Sequence, residues 1–152
     1  MTLTATEFMH SKLEALRTNQ KCHYAECQRF QSLNTLMGTT IVILSTLTLG
    51  FTFGGMDFFG KYGPFVVGGM SIVVGILAGI QTFANHAGRA IEYQSAAISY
   101  GALLREFELR TSGIYSEEEN TKELSVLMER WTEISKTAPL TKLRVRKAFG
   151  DK

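Results

Sequence analysis

Two stretches without a charged residue, 30–56 and 62–88, stand between flanks in which apolar and charged residues mix at helical spacing. Each stretch exceeds the roughly 20 apolar residues that an α-helix needs to cross a bilayer core at about 1.5 Å per residue. Between them lies a short connection that carries only Asp57 and Lys61 as charges and turns through Gly54, Gly55, Gly60, Gly63 and Pro64. The pattern predicts a transmembrane hairpin with spans at 33–55 and 64–88 and an extracytoplasmic loop at 56–63. So short a loop cannot recross the membrane, so both flanks are expected on one side.

The flanks read as helices. Thr4 and Glu7 have capping-box spacing, and no Gly or Pro follows until Gly38, which predicts a long helix over 4–32 with Met9, Leu13, Leu16, Tyr24 and Cys27 as its apolar side. Beyond the second span no break signal intervenes before Arg110. Ala90, Ala97 and Leu104, with Ile91, Ile98 and Gly101 beside them, keep a seven-residue spacing, and Tyr93, Tyr100 and Phe107 form a parallel aromatic line. The span is therefore expected to run on as a stalk over 89–110, ended by Thr111-Ser112-Gly113. Ser116 and Glu119 open another helix over 116–137, whose face of Leu124, Leu127, Met128, Trp131 and Ile134 predicts that it folds back on the stalk, and Ala138-Pro139 stops it. A basic tail, 140–152, remains.

The uncharged runs have distinct faces. In the first, Thr35, Thr39 and Thr46 project together and are candidates for lining a pore, while Gly38, Ser45, Thr48 and Thr52 fall on another side. Backbone bonding by the hydroxyls within their own helix is the alternative. In the second, Gly68, Ser71, Gly75 and Gly79 share a small-residue face with Ala78, Thr82 and His86, opposite Phe65, Val66, Val73, Leu77, Ile80 and Phe83. The small face predicts close helix packing in an assembly and the bulky face predicts lipid contact. In the loop, Phe58, Phe59 and Tyr62 suit the headgroup interface, and Asp57 and Lys61 could pair. Asn85 and His86, at the expected membrane exit, are candidates for a gate or proton sensor, with packing or headgroup contact as the alternative.

Charge sharpens the division. Of 16 basic and 14 acidic residues, only Lys61 and Asp57 fall outside the flanks, and a net charge of +2 is too small to suggest a nucleic-acid partner. Lys142, Arg144, Arg146 and Lys147, interleaved with Leu143, Val145 and Phe149, suit anionic headgroups or a solvated tail. Lys21, Arg29, Arg89 and Arg105 beside the spans place both termini in the cytoplasm by the positive-inside rule. Cys22 and Cys27 stand five apart on a helix, too far around it for a disulfide, and the first 25 residues lack the apolar core of a cleavable signal. His23 and Cys27 share a face, but no second ligand pair completes a metal site. The sequence offers no carboxylate pair, nucleophile with base, or phosphate loop, so no catalytic residue and no cofactor are expected.

The segment Phe83-Ala84-Asn85-His86-Ala87-Gly88-Arg89-Ala90, leading to Tyr93 and Tyr100-Gly101-Ala102-Leu103-Leu104-Arg105, together with the closing Trp131-Thr132-Glu133-Ile134-Ser135-Lys136-Thr137-Ala138-Pro139, resembles the SLATT domains, the SMODS and SLOG associating two-transmembrane effectors. The similarity spans about residues 12–140 and contains no catalytic signature. It implies a single SLATT-like domain over 1–152: an all-α integral membrane protein, a two-span hairpin with long cytoplasmic helical extensions and a C-terminal amphipathic helix folded on the stalk. It further implies a homo-oligomeric pore or ion channel that passes ions through the lipid bilayer as an effector of a nucleotide-triggered defence or stress system. With no sensor or cyclase domain in the chain, a separate sensor protein is the expected trigger. The alternative is a non-conducting membrane scaffold that recruits partners through its cytoplasmic helices.

Overall fold

The structure is a computed structural model that describes residues 4–55 and 60–150. Among these residues every regular element is helical. Helix α1 runs unbroken over Ala5–Gly50 and ends in a π-helical turn at Phe51–Gly55; α2 spans Gly63–Ala84, α3 His86–Thr111, α4 Glu117–Thr137 and α5 Leu143–Gly150. The loop residues Asp57, Phe58 and Phe59 lie outside the described residues, and with them the expected Asp57–Lys61 pair. The chain forms two compact units, Phe30–Gly88 and the combined flanks Met1–Arg29 and Arg89–Lys152.

The flank unit is a three-helix bundle. Met9, Leu13 and Leu16 of α1, Tyr100, Leu103, Leu104 and Phe107 of α3, and Leu127 of α4 make its core, with Leu124, Trp131 and Ile134 packed against it. Pairing order fixes the directions: Arg17 bonds Glu108 while His23 stacks near Tyr93 and Tyr100, so α1 and α3 are antiparallel. Arg130 bonds Glu106, and Tyr100 shares a hydrogen bond with Ser135, so α4 returns along α3. The aromatic line Tyr93, Tyr100, Phe107 is buried throughout, and Phe107 meets Trp131 edge to face at 6.3 Å between centroids.

Local chemistry sets the ends. Thr4 and Glu7 cap each other at the start of α1, as Ser116 and Glu119 do at α4. Glu117 also reaches across to accept from Ala5 N, Thr6 N and the Thr6 hydroxyl, and Asn120, fully buried, donates to Thr6 Oγ1 and to the Arg110 carbonyl. Gly113 leaves α3 with φ +82°, and Ala138, extended before Pro139, closes α4. On α1, Tyr24 is exposed and Cys22, His23 and Glu26 are buried, so the inner side of this segment is more polar than its apolar pattern suggests.

The second unit pairs the end of α1 with α2. Phe30 stacks on His86 at 5.9 Å, Gly38 faces the Gln81 amide, and Ser45, Thr48 and Thr52 share a cavity with Ser71 and Val74. This order makes the pair antiparallel, a helical hairpin.

One expectation is overturned: the second apolar run does not continue into the flank as one helix. Asn85 takes the left-handed conformation, φ 42° and ψ 48°, ends α2, and uses its side-chain oxygen to cap α3 through the Gly88 N–H at 3.2 Å. Asparagine tolerates both roles. A Cβ at residue 88 would come within 2.5 Å of the Asn85 amide, so glycine there makes room for the cap. Along α3, Ala90, Tyr93, Ala97 and Tyr100 are buried, and Ile91 and Ile98 are exposed.

Candidate functional site

Two helical stretches, Ala5–Phe53 and Gly60–Thr111, each contain a segment long and apolar enough to cross a membrane. Their outer surfaces are apolar and open: Phe53, Phe65 and Phe83 are 83%, 79% and 91% exposed, and Val42, Ile43, Leu49, Ile72 and Ile76 are exposed as well. Surface of this kind, continuous along a helix pair, marks an interface with lipid or protein.

Within the hairpin, the polar faces separate. Ser45, Thr48 and Thr52 join Ser71 around a cavity of about 260 Å³, and the exposed Thr35, Thr39 and Thr46 are not part of its lining. Most of these hydroxyls are internally satisfied. Thr40, Thr46, Thr48 and Thr52 donate to the carbonyls of Leu36, Val42, Leu44 and Thr48 at 2.8–2.9 Å, and Ser71 does so to Val67. A back-bonded hydroxyl keeps an acceptor lone pair for water or an ion, and its polarity costs little in an apolar setting.

The glycines of the small-residue ladder of α2 leave open space among the described residues, while Ser71 borders the cavity shared with α1. A Cβ built on Gly68, Gly75 or Gly79 meets nothing within 4 Å, and Ser71 is exposed. The half-buried residues of α2 include Val67, Met70, Val74 and Leu77, with Ala78 and Gly79. Leu77 and Val66, read from the sequence as part of the lipid face, are half-buried as well.

Asn85 and His86 have structural duties. Asn85 is the cap between α2 and α3, and the His86 ring stacks on Phe30 with a buried Nδ1 that has no hydrogen-bond partner.

The flank unit holds a second polar cluster that the apolar pattern did not indicate. His23, 4% exposed, lies 5.3 Å from Tyr100 and 5.9 Å from Tyr93 between ring centroids, and burial holds its pKa below 6.5. Glu26 is 0% exposed, with neither carboxylate oxygen hydrogen-bonded and Arg29 Nη1 at 3.6 Å. Cys22 and Cys27 are free and buried; burial chiefly pushes the Cys22 thiol up, against the pull of Arg146. No group of three potential metal ligands comes together among the described residues.

Within the basic tail, Leu143–Gly150 form α5, which lies against α1. Tyr93 donates to the Leu140 carbonyl at 2.8 Å, and the Cys22 thiol contacts the Val145 carbonyl at 3.9 Å. Lys142, Arg146 and Lys147 are exposed on this segment, while the side chain of Arg144 lies outside the described residues. No family model, curated protein or solved structure matches the chain.

Proposed function

We propose that the two apolar helices cross a lipid bilayer as a hairpin, with both termini in the cytoplasm, and that copies of the chain assemble into an ion-conducting pore. The observation that carries this reading is the pair of open faces on the hairpin: the uncrowded glycines Gly68, Gly75 and Gly79 of the small-residue ladder, and the exposed hydroxyls Thr35, Thr39 and Thr46. The ladder gives a neighbouring copy a close seat, and the hydroxyls give a ring of copies a polar lining. One hairpin alone encloses no lumen. On the resemblance to SLATT effectors, a separate sensor protein opens the pore in a nucleotide-triggered defence or stress response. The chain's part in this scheme is conduction, with no catalytic residue assigned.

The test is ion flux from liposomes that contain the purified protein. Wild-type protein releases trapped ions, and Thr39→Leu with Thr46→Leu reduces the release while leaving the amount incorporated unchanged. Equal flux from both proteins removes this face from the lining.

A non-conducting scaffold is the second reading, and one observation favours it: a groove of about 580 Å³ between α3 and the end of α4, lined by Ile91, Ser95, Ile134, Ala138 and Pro139, is open for a partner. Incorporated wild-type protein that causes no leak selects this reading.

A further inference from the structure

We infer that the cavity between α5 and α1 binds the phosphate headgroup of an anionic phospholipid, an inference that rests on the membrane reading above. The cavity, about 500 Å³, is lined by two cations, Arg29 and Lys142, and by Ala25, Val145, Ala148 and Phe149, with no acid among them. Arg29 is the last residue of α1 before the uncharged run that opens at Phe30, on one unbroken helix. At about 1.5 Å per residue, the α1 wall of the cavity falls within about two turns of the apolar segment, the depth of lipid headgroups.

The tail is built to present charge at this level. Between residues 140 and 150 stand Lys142, Arg144, Arg146 and Lys147 and no acid. The Tyr93–Leu140 and Cys22–Val145 contacts hold the segment on the bundle, so the cavity does not have to be assembled by the ligand. Arg29 stands 3.6 Å from the buried Glu26 through one Nη, which leaves further N–H donors of the guanidinium for a phosphate.

Apolar exposure argues for a lipid over free phosphate. Leu140 is 93% exposed and Phe149, on the cavity wall, 45% exposed. Large apolar side chains beside cations suit a surface whose charge lies directly over hydrocarbon, and gain nothing from an ion in water. The cavity thus matches both parts of the ligand: phosphate on Arg29 and Lys142, glycerol and upper acyl chain against Val145, Ala148 and Phe149.

The full-length protein in neutral detergent is titrated with dioctanoyl phosphatidylglycerol, dioctanoyl phosphatidylcholine and inorganic phosphate, and bound lipid is counted by native mass spectrometry. Wild type binds the glycerol lipid saturably and at least about ten-fold more tightly than the choline lipid, in line with one net charge at two cations. Lys142→Glu weakens the anionic lipid by about ten-fold or more, and it leaves the Arg29–Glu26 pair in place, so this variant avoids the folding risk of Arg29→Gln. Phe149→Ser weakens the anionic lipid and leaves inorganic phosphate unchanged. Equal binding of the two lipids, an unchanged affinity in Lys142→Glu, or phosphate that displaces the lipid at equal concentration would each overturn the site. Alkaline extraction of membranes from the expressing cells separates the two claims. Wild type retained in the pellet without lipid selectivity refutes the site alone, and wild type released to the supernatant refutes the membrane reading and the site together.

Discussion

Replacing Gly75 of α2 by leucine separates a packed assembly from an isolated hairpin, because the two states respond with opposite signs. In the single chain, a Cβ at residue 75 meets nothing within 4 Å, so added bulk costs no contact there. Glycine within a helix is less favourable than alanine by roughly 0.5–1 kcal/mol, and leucine is close to alanine, so the isolated hairpin gains about that much. In an assembly seated on the ladder of Gly68, Ser71, Gly75 and Gly79, the same side chain holds the neighbouring helix off. A gap of about 1 Å forfeits a quarter to a half of each close atom pair's 0.1–0.2 kcal/mol, and where the helices cannot seat at all the whole of it is lost. Loss of about ten such pairs amounts to about 1–2 kcal/mol, or about ten-fold weaker association per contact. Mass photometry of the protein in nanodiscs, with thermal unfolding in the same detergent, reads both effects. The expected outcome is a shift from oligomer to smaller species in Gly75→Leu. A particle mass equal to wild type, together with a higher unfolding temperature, would refute packing through this face.

Four further outcomes test the flank bundle and the junction. Phe107→Ala, which empties the fully buried site against Trp131, costs about 3–5 kcal/mol and lowers the unfolding midpoint read by Trp131 emission. Bundle stability falls as pH drops below 6.5, because the unfolded chain protonates His23 while the folded chain, with its depressed pKa, binds that proton only at lower pH; His23→Phe flattens this part of the profile. Glu117 and Glu119, held below 4.5 chiefly by bonds from the Thr6 hydroxyl and from Ser116 N respectively, contribute stability that is present above 4.5 and lost as pH falls through their lower folded values, and Glu117→Gln removes its share. At the junction, Asn85→Ala loses both the left-handed preference and the cap, about 2 kcal/mol together, whereas Asn85→Gly keeps the backbone and loses a few tenths, a difference readable as faster amide exchange at residues 86–88.

How far the sequence spoke depended on the range of the interactions involved. The long uncharged runs, the aromatic line Tyr93, Tyr100 and Phe107, and the Ser116–Glu119 box are periodic or local signals, and the structure has long apolar helices, a buried aromatic line and a capped helix where they fall. The break at Asn85 left no such trace: a residue ordinary within a helix became a double cap because Gly88 left room beside it. Buried His23 and Glu26 were hidden because they lie on the core side of α1 by virtue of what α3 presents to them, Tyr93 and Tyr100 above all. The lipid face of α2 was drawn too wide for a related reason. Sorting α2 into small and bulky faces ignores the border between them, where Val66 and Leu77 are half-buried. The order of the tail, too, depends on contacts far along the chain, at Cys22 and Tyr93.

Membrane topology is the most direct measure of the central claim. Lys61→Cys, in the connection between the apolar helices, and Ser112→Cys, in the turn after α3, are exposed positions, whereas the native Cys22 and Cys27 are buried. A membrane-impermeant maleimide applied to intact expressing cells is expected to label Lys61→Cys at once and Ser112→Cys only after permeabilisation. Equal labelling of the two positions before lysis, or labelling of both only after it, would contradict a hairpin that crosses the membrane with its flanks in the cytoplasm.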